Sequence, residues 1–370
     1  MNPRSNGPQE AHPPSPCDES PAISKADPNG GGQQLALPRP YLLFLGETLE
    51  PGYAKTAMGL RDWARDNCVG ELAYRPHGVT TGLPRLTAAE AVKRGARSLV
   101  IGVASAGGSI DRKWIPSLVE ALRAGLDIVS GMHDPLESVP ELKHAAIRQA
   151  RQLINVRTPP RRIPVGSGRR RSGKRLLTVG TDCAVGKKYT ALTLARAFSG
   201  RGLDASFRAT GQTGIMIAGS GIPIDAVVSD FAAGAAEMLS PDASPGHWDV
   251  IEGQGSLFHP AYSGVSLALL HGSQPDVIVL CHNPSRTAVL GCPDHALPSL
   301  DEALELNLRL GARTNPGIRC GGICLNTSQL SDEEAQRLLD RESASMNIPV
   351  ADPMRGGAAL EQLVESCLSH

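Results

Sequence analysis

Residues 176–198 read LLTVGTDCAVGKKYTALTLARAF: an apolar run, a glycine-bounded turn, then an amphipathic stretch. Strand, turn and helix in that order make a phosphate-binding loop. Successive N–H groups line a concave nest, the helix N-terminus adds positive partial charge, and a lysine reaches the terminal phosphates. The turn runs Gly180, Thr181, Asp182, Cys183, Ala184, Val185, Gly186, Lys187, one residue longer between its glycines than the common G-x-x-x-x-G-K. The expected ligand-binding set continues through Lys188, Tyr189 and Thr190. In Mg²⁺-nucleotide loops the lysine is followed by Ser or Thr, whose hydroxyl ligates the metal. Here that position is Lys188. A second ammonium neutralises phosphate charge directly, so a pyrophosphate bound without metal fits this loop, and coenzyme A carries one. Thr190 is the hydroxyl that would restore a metal ligand if the loop were reshaped.

A second station lies in WDVIEGQGSLFHP at 248–260. An apolar strand that ends in Glu252 and turns through Gly253, Gln254 and Gly255 places a carboxylate at the carboxyl edge of the sheet, beside the phosphate loop. Glu252 is the expected catalytic residue, a general base or a Mg²⁺ ligand, weighed against a buried carboxylate bonded to turn amides. Gln254 and Ser256 join it as substrate-binding candidates. Between the two stations runs FRATGQTG at 207–214. Arg208, Thr210, Gln212 and Thr213 are expected to project into the same crevice, with Arg208 as a clamp for a carboxylate.

Other groupings carry less chemistry. Cys281, His282, Cys292 and His295 contain zinc-ligand types, but Cys281 and His282 are adjacent in a predicted strand and point to opposite faces, so no metal is expected. Cys320 and Cys324 read as small packing residues. Cys183 sits at a helix N-terminus but has no His beside it in sequence. The run RRIPVGSGRRRSGKR at 161–175 reads as a solvated interdomain linker, ahead of a phosphate-gripping rim. A nucleic-acid tract there lacks aromatic stacking partners.

These stations need sheets to hold them. In this chain of 370 residues, the runs at 41–46, 98–104 and 126–131 alternate with amphipathic stretches at 54–66, 87–95, 114–125 and 139–155. Short continuous apolar runs between helices predict parallel strands buried on both faces, hence a Rossmann-like N-terminal domain over 39–160. No G-x-G-x-x-G opens a helix there; GVASAGGS at 102–109 is read as a turn at a sheet edge. A basic linker at 161–174 leads into a second α/β domain at 175–370. Its strands are expected at 176–181, 205–211, 226–230, 248–253, 276–283, 321–326 and 348–352. Its helices are expected at 187–200, 232–239, 299–310, 331–344 and 357–368. Residues 1–38, almost without large apolar side chains, are expected to be disordered. With 37 basic and 37 acidic residues the net charge is zero, which removes the long-range pull of a nucleic-acid or membrane-surface binder. No apolar stretch suits a transmembrane span or signal core. Together with eight scattered cysteines this predicts a cytoplasmic protein with free thiols.

The phosphate loop resembles the GTDTxVGKT loop of dethiobiotin synthetase-like enzymes, whose EGAGG stretch corresponds to the residues around Glu252. The longer blocks PYLLFLGE at 40–47, AKTAMG at 54–59, LVIGVASAGG at 99–108, LDIVSGMH at 126–133, FRATGQTGIMIAG at 207–219 and HWDVIEGQGSLFHPAYSGVSL at 247–267 are similar to the D-glutamate N-acetyltransferase family. That resemblance runs from about residue 40 to the C-terminus. It implies a Rossmann-like domain and a P-loop domain that together form the site, and acetyl transfer from acetyl-CoA to the amine of D-glutamate. On that reading Glu252 takes the amine proton, amides of the 253–256 turn or the phosphate loop meet the carbonyl charge, and Arg208 and Lys55 hold the acceptor carboxylates. A homo-oligomer is expected. The competing readings are a Mg-ATP-dependent carboxylate kinase or ligase using Thr190 and Glu252, and a ligand-sensing module without catalysis.

Overall fold

A computed structural model of the chain describes residues 33–34, 37–75, 77–103 and 108–369. Most of the N-terminal segment expected to be disordered lies outside them, as do residues 104–107 of the expected sheet-edge turn. Within that segment Gln33–Gln34 forms a short strand (β1) antiparallel to Ser220–Gly221, so that part of the expectation is corrected.

The N-terminal unit continues through β2 (Tyr41–Gly46), α1 (Lys55–Trp63), β3 (Cys68–Ala73), α2 (Ala88–Lys93), β4 (Ser98–Ile101), α3 (Ile115–Ala124), β5 (Asp127–Ser130), α4 (Pro140–Gln149) and β6 (Leu153–Asn155). Its five-stranded sheet is parallel throughout, in the order β3-β2-β4-β5-β6. The three inner strands are buried along their whole length, which is why they read as unbroken apolar runs. The edge strands β3 and β6 have no such run. The helix expected over 139–155 stops at Gln149, where Ala150 turns left-handed (φ +50°) and releases the chain into β6.

The C-terminal unit comprises β7 (Lys174–Gly180), α5 (Lys187–Gly200), β8 (Ala205–Arg208), α6 (Gln212–Ala218), β9 (Ser220–Gly221), α7 (Ser229–Leu239), β10 (Trp248–Ile251), α8 (Ser263–Ser273), β11 (Val277–His282), β12 (Ala288–Val289), β13 (Cys292–Ala296), α9 (Leu300–Gly311), β14 (Arg319–Leu325), α10 (Asp332–Met346), β15 (Val350–Ala351) and α11 (Gly357–Leu368). Six strands form a parallel sheet in the order β15-β14-β11-β7-β10-β8. The connection after β7 leads to one side of that strand and the connection after β10 crosses to the other. The carboxyl ends of β7 and β10 therefore flank a switch point, where ligand crevices form. The strand expected at 226–230 is instead a turn followed by α7. Ala232, Ala235, Ala236 and Leu239 bury at helical spacing, while Val228 is exposed.

The end of the basic segment is not a solvated linker. Residues 170–175 dock at the amino end of β7, seven residues from the end that carries the phosphate loop, or roughly 20 Å. Arg171 and Arg175 are buried there. Arg171 donates to the carbonyls of Gly272 (2.7 Å) and Ser273 (3.1 Å), and Arg175 to that of Ser172 (2.7 Å). Arg170 pairs with Asp276 at 3.1 Å.

The two units share one apolar core. Leu192 of α5, Ala209, and Ile215, Met216 and Ile217 of α6 cluster with Ala57 and Leu60 of α1 and with the N-terminal sheet. Thr56 and Thr213 meet hydroxyl to hydroxyl at 2.9 Å in this seam.

Candidate active site

Three features shape the phosphate loop. Ala184 and Gly186 adopt left-handed backbone (φ +54° and +109°), a conformation that turns successive N–H groups toward one concavity. Asp182 is fully buried and braces the turn: Oδ1 accepts from Cys183 N (2.6 Å), and Oδ2 from Leu290 N (2.8 Å) and Arg286 Nη1 (3.0 Å). Arg286 also donates to the carbonyl of Cys183 at 2.7 Å. Lys187, the first residue of α5, donates to the Asp182 carbonyl at 2.7 Å. A Cβ on Gly180 would stand 3.1 Å from that ammonium, so the first glycine clears its path. Thr181 is tied to β11 through His282 Nδ1 (2.9 Å), and Val185 belongs to the core beneath.

Glu252 and Lys188 lie beside this loop, each the largest opposing charge the other feels. The Glu252 carboxylate is buried, and Oε2 accepts from the amides of Thr210 (3.0 Å) and Gly211 (3.1 Å). Burial pushes the carboxyl above its ordinary range, against the opposing charge of Lys188 and these hydrogen bonds. Burial pulls the Lys188 amine down to about 8, opposed by Glu252 and Asp62. Its Nζ lies 5.0 Å from the centre of the Tyr189 ring and against Gly59 of α1, at the seam. Tyr189 donates its hydroxyl to Asp62 Oδ2 at 2.8 Å. Thr190 points beneath the loop, where its hydroxyl accepts from Cys281 Sγ at 3.4 Å. The hydroxyl that would rebuild a metal ligand therefore faces the sheet.

The remaining expected site residues divide. Lys55, at the start of α1, feels the charges of Arg286 and Cys183 over the loop. Desolvation, then Arg286, holds its amine below the usual lysine value, although much of the side chain stays exposed. Gln212 and Thr213 open α6 and face the N-terminal unit: Thr213 bonds Thr56, and Gln212 packs where a Cβ on Gly131 would stand. Gln254 donates to the Thr210 carbonyl, and Ser256 is buried within its own turn, accepting from Phe258 N at 3.2 Å. Gly253 gives its amide to Thr178 Oγ1 at 2.9 Å, so that amide is not one of the donors expected for carbonyl charge. Arg208, expected to clamp a carboxylate, carries a buried ion pair. Its Nε donates to Asp249 Oδ1 at 2.5 Å in a buried ion pair. Asp249 precedes Glu252 by three residues on the neighbouring strand.

Two residues at the loop were missed in the sequence. Arg286 sits in the NPSRT turn after β11, and only its place at the carboxyl edge could have marked it. His259 is the other: among the described residues, Asp182, Cys183 and His259 bring one donor atom each within 4.8 Å of one another. The donors of Asp182 and His259 are already engaged. Asp182 holds the bonds given above, His259 Nδ1 accepts from Ala261 N at 3.1 Å, and Nε2 lies 3.1 Å from the Leu290 carbonyl. They brace the loop. Burial also pushes the Cys183 thiol up, which opposes thiolate chemistry. Cys281 and His282 are tied to Thr190 and Thr181, while Cys292 and His295 lie on the β12–β13 hairpin.

Comparison with known proteins agrees with this architecture. The family model described as a domain of unknown function (DUF1611_N), Rossmann-like domain, matches residues 67–159, and its P-loop counterpart (DUF1611_C) matches 163–364. A crystal structure of a DUF1611 family protein from Anabaena variabilis superposes with a TM-score of 0.79 at 32% identity, covering 89% of this chain and 100% of that one. A protein of a Pseudoalteromonas species named D-glutamate N-acetyltransferase is 48% identical over 318 residues, 86% of this chain and 96% of its own length. One of the same name from Tritonibacter scottomollicae is 48% identical over 319 residues, with the same coverage. The chain belongs to the D-glutamate N-acetyltransferase family.

Membership of the D-glutamate N-acetyltransferase family fits a chain of one Rossmann-like and one P-loop unit, with the phosphate loop and Glu252 in one and Lys55 in the other. Lys55, Gly59 and Asp62 all precede residue 67, where the Rossmann-like family model begins to match. No helix among the described residues is long and apolar enough to cross a membrane.

Proposed function

We propose that this chain moves the acetyl group of acetyl-CoA to the amine of D-glutamate, giving N-acetyl-D-glutamate and free CoA. The observation that carries the choice of donor is a second lysine, Lys188, in the place of the metal-ligating hydroxyl at the start of α5. A Mg²⁺-nucleotide site would place a hydroxyl and a carboxylate around a metal there. An ammonium there cannot ligate a metal, and a pyrophosphate held by loop amides and Lys187 needs none. The acceptor amine loses a proton to Glu252 and its nitrogen attacks the thioester carbonyl. The C–S bond then breaks, and CoA leaves as the thiolate and takes up a proton. Lys55, at the start of α1, is a cation for an acceptor carboxylate or a donor phosphate. No metal is needed in this scheme.

The protein is proposed to act in the cytoplasm on small molecules, without nucleic-acid or membrane partners, and to self-associate. Exposed apolar side chains at Val228 and Phe231 support the last point, which light scattering of the purified protein tests.

The deciding experiment is a mass-spectrometric product assay with acetyl-CoA and D- or L-glutamate, run with EDTA and in parallel with Mg-ATP. Acetylated D-glutamate in the EDTA arm is expected. Consumption of ATP with no acetylated product would overturn the reading in favour of a carboxylate kinase or ligase.

A further inference from the structure

Helix α1 presses on the active-site lysine at one point. A Cβ on Gly59 would meet Thr213 Cγ2 at 2.7 Å and Lys188 Nζ at 3.0 Å. Residues 56, 59 and 62 are three apart and share one side of α1, and both neighbours of Gly59 on that side are anchored across the seam. Thr56 bonds Thr213 at 2.9 Å, and Asp62 accepts from Tyr189 at 2.8 Å. Beyond Thr213, a Cβ on Gly214 would stand 2.3 Å from Glu252 Oε2, so α6 lies directly against the carboxylate. The ammonium thus lies against α1, 5.0 Å from the centre of the Tyr189 ring, with Glu252 as the largest opposing charge it feels.

We propose that Gly59 is a positioning residue: its missing side chain lets α1 seat the Lys188 ammonium beside Glu252 as that carboxylate's counter-ion. Docking of the N-terminal unit then sets the charge state of the base. The placement stands on the geometry; what the base does rests on the acetyl-transfer reading. Lys188 is faced by Glu252 from the end of β10 and by Asp62 and Lys55 from α1. Glu252 is faced by Lys188 and Lys187 from α5 and by the amides of Thr210 and Gly211. Lys188 is the strongest influence favouring the ionised carboxylate, so moving it away makes Glu252 ionise at higher pH.

The test combines a ¹³C-carboxyl NMR titration of Glu252, assigned by the signal lost in Glu252→Gln, with the pH profile of acetyl transfer. The proteins compared are wild type, Gly59→Ala and Gly52→Ala, the last a control because no atom lies within 4 Å of a Cβ at position 52. In Gly59→Ala the titration midpoint and the acid limb of kcat should both rise by about one pH unit, with KM for acetyl-CoA within about twofold of wild type. Gly52→Ala should match wild type. If Gly59→Ala does not fold, Gly59→Ala/Thr213→Ser carries the test, because serine removes the clashing Cγ2 and keeps the hydroxyl for Thr56. An unmoved midpoint in a folded variant overturns the proposal. So does a rise confined to KM for acetyl-CoA, which would put Lys188 on the phosphates. A moved midpoint in a protein that forms no acetyl-D-glutamate upholds the positioning and removes the reaction assigned to the base.

Discussion

The Tyr189 hydroxyl donates to Asp62 Oδ2 at 2.8 Å, joining the residue after the two phosphate-loop lysines to the last turn of α1. Tyr189→Phe removes this one bond and leaves the ring against Trp63, 6.0 Å away. A loss of about 1 kcal/mol in stability is expected from a partly exposed bond to a charged acceptor, together with a lower kcat, because α1 is then less firmly held. Thermal melts and steady-state rates check both.

Glu252→Gln keeps the shape of the carboxylate and removes its basicity. Turnover should fall by at least about tenfold, with acetyl-CoA affinity retained. A variant of unchanged rate in a product assay would take Glu252 out of the chemistry.

Lys187→Met removes the buried ammonium at the loop and keeps the rest of the unbranched side chain. Since that lysine approaches the Asp182 carbonyl beside the nest, KM for acetyl-CoA should rise by about tenfold or more, with KM for D-glutamate changed far less. Equal effects on both would place Lys187 outside the donor phosphate site.

The pH dependence follows from the direction of the Glu252 shift. The carboxyl is raised by burial, and a base must be ionised to work, so activity should fall as pH drops through a value above the ordinary carboxylate range. Stability runs the opposite way. A raised folded-state pKa contributes stability below the unfolded value and loses it as pH rises through the folded one. Glu252→Gln should therefore melt higher than wild type near pH 8 and show no such gain near pH 4. Calorimetry at the two pH values checks the sign.

Gly253 follows the end of β10 beside β7, and a Cβ there would come within 1.6 Å of the Thr178 carbonyl oxygen. Backbone cannot yield as a side chain can, so Gly253→Ala should cost about 3 kcal/mol or more, read as a lowered midpoint in urea.

How much of this could be read from residues alone depended on whether a residue's task is local. The phosphate loop was legible because strand, glycine turn and lysine-led helix are contiguous: α5 begins at Lys187 and ends at Gly200, as its pattern predicts. Glu252 was legible for the same reason, at the end of an apolar strand. Arg208 was not, because its partner Asp249 lies on a neighbouring strand 41 residues away. Arg171 and Arg175 read as solvated cations, since nothing local announces the carbonyls that bury them. The helix at α7 was mistaken at its start, where two valines outweighed the small buried residues that follow. Gly59 and Asp62 had no signal at all, because they matter only once two units meet.

That meeting is a packed core rather than a cleft, with Ile215 and Met216 fully buried among N-terminal side chains. The consequence is thermodynamic. Neither family domain can melt while the other persists, because separating them would strip apolar cover from both at once. The chain should unfold in one calorimetric transition, with van't Hoff and calorimetric enthalpies that agree. Any substitution that loosens the seam would then act on the lifetime of the whole molecule, so a deletion that leaves the P-loop unit intact would still shorten the survival of the site.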